Sequence, residues 1–426
     1  MRRIPRIGSW EPPPGRTRRP GGRRRLAVMA LAGLLALSTA TSAAAQGVWV
    51  TAPDMPTARD KVAGAAAKCP EGLRGTCVYV IGGENTEPES VEGRTTFEAY
   101  SPAAGTWSTL PPLRVARYQA AATTAPCPGG VEGDCVYALG GYGTSGAALD
   151  SVEAYSTKTN AWLTLKPLLT RRGQAAAATA PCPDGLGLRG TCVYVFGGFN
   201  GSTLGTVEAY SPATNTWATV HSLQLARYAH GGAAAPCPGE GHRRTCVYAI
   251  SGAVRGNIRS VEAYHPDLDA WSFAADIPTN RANFGAAAAH CPEGITDGCV
   301  YAVGGENGTS SLLNTFEAYT PVTDAWVTLP TLPTARRTLA AATARCPRNK
   351  HNDCVYAAGG NDGAPSATAE AFSIEGRRDE QKPKPKPKPA AEPAAAAEPA
   401  AEPAAAPVSP AEPAEVLPAG VPGGVR

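Results

Sequence analysis

The chain has 426 residues; only 18% are charged, and the formal net charge is +3. Gly (47) and Pro (40) together make about a fifth of it, below the range of a wholly disordered protein. Nine arginines fall in residues 1–45, and residues 46–375 carry five more acidic than basic side chains, which excludes the basic footprint a nucleic-acid binder needs.

The N-terminal 45 residues read as an export signal. Arg23-Arg24-Arg25 precede an apolar run from Leu26 to Leu37, and small residues ending in Ala43-Ala44-Ala45 follow before Gln46. That is a basic region, a short apolar region and an A-x-A cleavage site. The run is about a dozen residues, short of the roughly 20 that span a bilayer, so no retained anchor is expected. General secretion is the expected route, because the twin-arginine route carries folded proteins from a reducing cytosol that would not form the disulfides argued below.

Residues 46–375 hold six copies of one unit. Glu-Ala-aromatic recurs at Tyr100, Tyr155, Tyr210, Tyr264, Tyr319 and Phe372, with spacings of 55, 55, 54, 55 and 53. Trp107, Trp162, Trp217, Trp271 and Trp326 each follow their tyrosine by seven residues. A Gly-Gly pair precedes each aromatic, as at Gly140-Gly141, except in the fourth copy, which has Ser251-Gly252. Each unit breaks into four short extended segments divided by Pro, Gly, Asn and Thr. In the second copy these are the Ala-rich Arg117–Ala125, then Cys135–Leu139, Ser151–Tyr155 and Trp162–Leu165. Short strands at this spacing mean an all-β fold, and four per unit of about 55 residues fits a propeller blade.

The sixth unit stops after Ala369–Ser373 without a fourth strand, and the chain's first extended segment, Val48-Trp49-Val50, supplies the missing tryptophan. The expected fold is therefore a six-bladed β-propeller of four-stranded blades, closed by the N-terminal strand completing the last blade. Closure removes exposed sheet edges.

The Gly-Gly, Glu-Ala-Tyr and Tyr-to-Trp pattern resembles the kelch repeat, within the galactose oxidase central-domain-like superfamily, in an exported bacterial form. The resemblance implies that the arginine-headed, Ala-rich strand lies innermost, that the glycine pair ends the second strand, and that the tyrosine and tryptophan pack between blades.

All twelve cysteines fall in the repeats, two per unit: Cys69/Cys77, Cys127/Cys135, Cys182/Cys192, Cys237/Cys246, Cys291/Cys299 and Cys346/Cys354. Each first cysteine precedes Pro at the end of the first strand, and each second opens the next strand. The two are expected to face each other across one hairpin, within disulfide range. Zinc would want four ligands, and no regular histidine joins these pairs, so six disulfides are expected and no metal or cofactor.

Strand alternation sends the second-to-third strand loops to one rim, together with the blade-to-blade connections. Those loops differ most between copies, and recognition is expected there. Candidate ligand contacts are Arg59, Arg117, Arg172, Arg227, Arg281 and Arg336, with Tyr118, Tyr228, Asn283 and Phe284 beside them. A ring of cations suits a carboxylate or an acidic sugar. The competing reading pairs these arginines with Glu98, Glu153, Glu208, Glu262, Glu317 and Glu370, one per repeat, inside each blade.

Enzyme signals are weak. The six histidines occupy unrelated repeat positions with no metal spacing. Galactose oxidase, a kelch-type propeller, uses copper with two Tyr, two His and a Cys–Tyr link, and no such set assembles here. No catalytic residue is assigned. The expected function is an exported binding module for a protein or glycan ligand, acting as a monomer. The alternative is a sugar-active enzyme resembling N-acetylneuraminate epimerase. Asn200-Gly-Ser and Asn307-Gly-Thr match glycosylation sequons and read as turns. Residues 376–426, with four Lys-Pro pairs and Glu-Pro-Ala repeats, have too little bulky apolar surface to fold and read as an extended, disordered linker.

Overall fold

The computed structural model describes residues 47–85, 95–239, 244–292, 298–309, 311–347 and 352–374. The export-signal reading of 1–45 and the linker reading of 376–426 lie outside these residues. Within them, 24 strands form six four-stranded antiparallel sheets. The fold is the all-β, six-bladed propeller that the repeat arithmetic required.

In the first blade the strands are Ala63–Lys68, Thr76–Ile81, Phe97–Ser101 and Thr106–Thr109. The innermost is small because six such strands converge on one axis. A Cβ on Gly64 would fall 2.9 Å from Ala340 Cβ and from the Ala341 backbone, so bulk there would force the blades apart. The second and third strands are almost wholly buried. They supply Val, Tyr and Phe to cores shared between neighbouring blades, as where Tyr155 and Trp162 join the first blade's Tyr79 and Phe97.

The sixth blade closes the ring. Its own strands are Ala340–Arg345, Asp353–Ala358 and Ala369–Ser373, and Trp49–Ala52 pairs antiparallel with the last of them, Trp49 facing Phe372. Trp49 then does what its five equivalents do. Its indole N–H donates to the Pro330 carbonyl at 2.8 Å, as Trp107 donates to Pro53 and Trp162 to Pro111. Each tryptophan so ties its blade to the connection that follows the outer strand of the blade before.

A second circle of hydrogen bonds joins the blades. The N–H of each second glycine donates to the heading arginine carbonyl of the next blade. Gly83 binds Arg117, Gly141 binds Arg172, Gly198 binds Arg227, Gly252 binds Arg281, Gly305 binds Arg336 and Gly360 returns to Arg59, at 2.8–3.0 Å. The first position of the pair needs a positive φ and close approach to that same carbonyl. Ser251 meets the need differently: at φ 53° its hydroxyl donates to the Arg281 carbonyl at 2.8 Å and accepts the Arg281 N–H at 3.0 Å.

All six disulfides expected from the cysteine pattern are present, and no cysteine is free. Their geometry corrects one detail. Cys77 faces Ala67 in the register, not Cys69; Cys69 lies two residues further on, so the bridge is diagonal, with Cα atoms 4.9 Å apart. The sequon asparagines sit in turns: Asn200 Oδ1 accepts the Ser202 N–H, and Asn307 Oδ1 accepts those of Thr309 and Ser311.

Candidate binding rim

The six heading arginines are the largest fully buried side chains of the fold, each with no exposed surface. Their guanidinium groups are committed inside their own blades. Arg117 donates to the Gly140 and Ser151 carbonyls and the Ser151 hydroxyl, and pairs with Glu153 at 2.8 Å. Arg59–Glu98, Arg172–Glu208, Arg227–Glu262, Arg281–Glu317 and Arg336–Glu370 repeat the pair at 2.5–2.7 Å. Burial pulls each guanidinium pKa below its ordinary value, and the partnering carboxylate opposes that shift. The ligand role weighed for Arg59, Arg117, Arg172, Arg227, Arg281 and Arg336 is therefore corrected: a guanidinium with no exposed surface, held by a buried glutamate of its own blade, does not meet a ligand.

The arginines instead shape what does face outward. Two residues after each comes Lys61, Gln119, Gln174, Ala229, Asn283 or Thr338, and all six take left-handed φ between 48° and 53° although none is glycine. Such a conformation costs on the order of 1 kcal/mol each and persists only where surroundings impose it. What imposes it is a third circle of hydrogen bonds about the axis. Gln119 N–H donates to Lys61 O, Gln174 to Gln119, Ala229 to Gln174, Asn283 to Ala229 and Thr338 to Asn283, at 2.6–3.0 Å; Val62 N–H completes it onto Thr338 O at 3.3 Å. The mouth of the propeller is thus a closed backbone ring from which six side chains rise.

Around this ring runs a second tier, built from the residue after each arginine and the residue after each glycine pair, bridged as short antiparallel contacts. Its composition divides. Blades two to four present Tyr118, Tyr142, Phe199 and Tyr228, all half-buried. Tyr118 and Tyr142 have ring centroids 5.4 Å apart, as do Phe199 and Tyr228. The Tyr142 hydroxyl donates to the Phe199 carbonyl at 3.2 Å and to Gln174 Oε1 at 3.3 Å. Its ring lies over Gly173, where any Cβ would strike it. Blades five, six and one present paired charges instead. Arg337 binds Glu306, which also accepts from Asn283 Nδ2 at 2.6 Å. Lys61 binds Glu84 and lies over the Tyr118 ring. Asp60, whose carboxyl burial pushes above the usual range, accepts from Asn361 at 3.1 Å.

Inside the ring is a cavity of about 90 Å³ lined by Lys61, Gln119, Gln174, Asn283 and Thr338, with a lower layer of Val62, His230, Phe284 and Leu339. Below it the inner strands enclose a space of about 310 Å³ walled by Ala, Gly and Thr. His230 is buried. Burial first, then the charges of Arg227 and Arg172, hold its pKa well below the ordinary value, and its ring lies against Phe196 and Gly197. Of the side chains named from sequence, Tyr118, Tyr228 and Asn283 stand on this rim. Phe284 does not present itself; it is 8% exposed and packs over Gly231 as part of the lower layer. Sequence reasoning passed over Lys61, Gln119 and Gln174, and held Tyr142 and Phe199 only as the first residues of variable loops. Their fixed offset from the heading arginine or the glycine pair was the available signal. Among the described residues, the one grouping of three metal-type donors is Cys237, Cys246 and His265, and the disulfide removes both of its sulfurs as ligands.

Comparison with known proteins agrees with the fold. The Kelch motif matches residues 74–114, 125–169, 186–224 and 294–333, in the first, second, third and fifth blades. Kelch-like protein 23 of Homo sapiens is 26% identical over 295 residues, covering 68% of this chain and 45% of that protein. Kelch-like protein 26 of Danio rerio is 26% identical, covering 58% and 37%. The chain thus spans less than half the length of these curated relatives. The solved "Structure of YjhT" superposes with a TM-score of 0.54 at 15% identity, covering 77% of this chain and 98% of that one, a likeness of fold alone. The two unmatched blades depart from the pattern in visible ways, the fourth by Ser251 and the sixth by taking its outer strand from the N-terminus. Four of the six blades in the closed ring thus carry Kelch motifs, which supports the kelch-repeat family.

Proposed function

We propose that the protein is an exported, monomeric binding module that engages a protein or glycan on the arginine-side rim, with no catalytic activity assigned to it. One observation carries this reading. Side chains that differ from blade to blade converge on a mouth whose backbone is locked by a complete circle of hydrogen bonds through six left-handed residues. Strain held in this way by a rigid scaffold is a mark of a recognition surface. The six disulfides are consistent with an oxidising, extracytoplasmic setting, and residues 1–45 would direct export to it. The family's interaction modules support a binding role over a catalytic one.

The test compares the full chain with two variants against a glycan array and against proteins of the producing cell's surface fraction. The double variant Tyr118→Ala/Tyr228→Ala is expected to lose binding at least tenfold. Lys158→Ala, exposed on the disulfide-bearing rim, is expected to bind as the parent does. Binding lost in Lys158→Ala and kept in the double variant would place recognition on the other face and end the proposal.

A further inference from the structure

We infer that the axial mouth takes one terminal sugar residue of neutral charge, stacked on the aromatic arc of blades two to four and hydrogen-bonded by the amides of the ring. This rests on the reading of the arginine-side rim as the binding face and names the ligand class for it.

Three observations lead there. First, the backbone of the mouth is almost wholly committed to itself. The ring N–H and C=O groups bond to one another, and the tier around it is consumed in bridges such as Asp60 with Glu84 and Tyr118 with Tyr142. A peptide adding itself as a strand needs open backbone groups, so recognition here falls to side chains. Second, the cations of this rim already hold carboxylates: Lys61 with Glu84, and Arg337 with Glu306. A carboxylate ligand would have to break a partly buried pair to gain one, which offers little net energy. A neutral ligand leaves both pairs intact. Third, what remains is an aromatic face beside planar amides. Tyr142 is fixed over Gly173 by its hydroxyl, so the arc meets a ligand with little ordering cost. A pyranose carries an apolar C–H face that suits an electron-rich ring, and an edge of hydroxyls that each donate and accept. A glutamine amide does both as well, and Gln119 and Gln174 line the cavity beside the arc.

The cavity's size selects an end group over a chain passing through. Its volume of about 90 Å³ narrows onto a lower lining of Val62, His230, Phe284 and Leu339. That is the room of about three waters, enough for one ring substituent entering from the rim while the sugar ring rests above.

The experiment is titration calorimetry of the full chain with the methyl glycosides of glucose, galactose, mannose and N-acetylglucosamine, with glucuronic acid and decaproline as contrasting probes. At least one neutral glycoside is expected to bind in the millimolar range or tighter, at about −4 kcal/mol or better. Gln119→Ala, at a half-exposed position, and Tyr142→Leu are each expected to weaken it at least tenfold with the melting temperature of Gln119→Ala unchanged. Silence from all neutral glycosides overturns the inference, as does glycoside binding that both variants leave intact. Binding of glucuronic acid or decaproline alone, lost in Tyr118→Ala/Tyr228→Ala, removes the neutral-sugar class while the rim reading stands. The same binding kept in that double variant removes both.

Discussion

Glu153→Ala is expected to cost the protein about 3–5 kcal/mol of stability, one of the largest effects of any single substitution outside the axis. The carboxylate holds more than its arginine. It accepts the backbone N–H groups of Arg114 and Val115 at 2.9 and 3.3 Å, as well as the Arg117 guanidinium at 2.8 Å. Its loss strands a fully buried cation and frees the connection that enters the blade. Arg117→Leu combined with Glu153→Leu should do less harm than either member removed alone, because no charge is then left unpaired in the interior. Urea unfolding is the measurement. A lower midpoint with unchanged slope is expected for the single variant, since the native surface is retained. A loss below about 1 kcal/mol would place the pair in the range of solvent-screened surface bridges and contradict its burial.

Reduction is expected to have the larger cumulative effect, and only after the fold opens. Each bridge spans 8 to 10 positions of sequence. Loop-closure entropy for such a length gives about 2.5 kcal/mol per bridge, a quantity that need not add across six. One sulfur of every pair is wholly buried: Cys77, Cys135, Cys192, Cys246, Cys299 and Cys354 all have no exposed surface. Native protein should therefore keep all six bridges under a thiol reductant that removes them readily in urea, as read by mass after alkylation. The reduced, alkylated chain should then refold poorly or melt far below the oxidised one. An unchanged melting temperature would mean that the staples constrain nothing the blade strands had not already fixed.

The architecture was legible because a propeller writes its period into the chain. Glu-Ala-Tyr and the tryptophan seven residues on locate two strands of each blade, and the stray Trp49 reveals where the circle joins. The cysteine pairs were readable for the same reason, although the diagonal offset of Cys69 from Cys77 depended on strand register that spacing does not carry. The functional rim was only half visible. The heading arginines drew attention as a repeated cation, yet a charge that recurs in every copy beside a recurring glutamate marks what all blades share, and shared features here are internal. On the proposed reading, recognition falls to positions that vary. Gln119, Tyr142 and Phe199 look like noise in an alignment of repeats until the ring sets them beside one another. Phe284 was misplaced because sequence cannot tell that Gly231 in the neighbouring blade makes room for its ring.

Closure of the circle by the N-terminal strand supports all of this, since the axial ring and its rim exist only in a sealed propeller. Hydrogen exchange of the segment Ala369–Ser373 tests it directly, in the intact chain and in one lacking residues 47–52. In the intact protein Ser373 donates to the Val48 carbonyl at 3.0 Å, and Trp49 to Ala52 pair along the strand. The account predicts slow exchange there that becomes fast when the N-terminal strand is removed, accompanied by loss of protection around Trp326 and Pro330, where the Trp49 indole docks. Equal protection of Ala369–Ser373 in both chains would show that the sixth blade does not depend on that strand, and would contradict the closed ring.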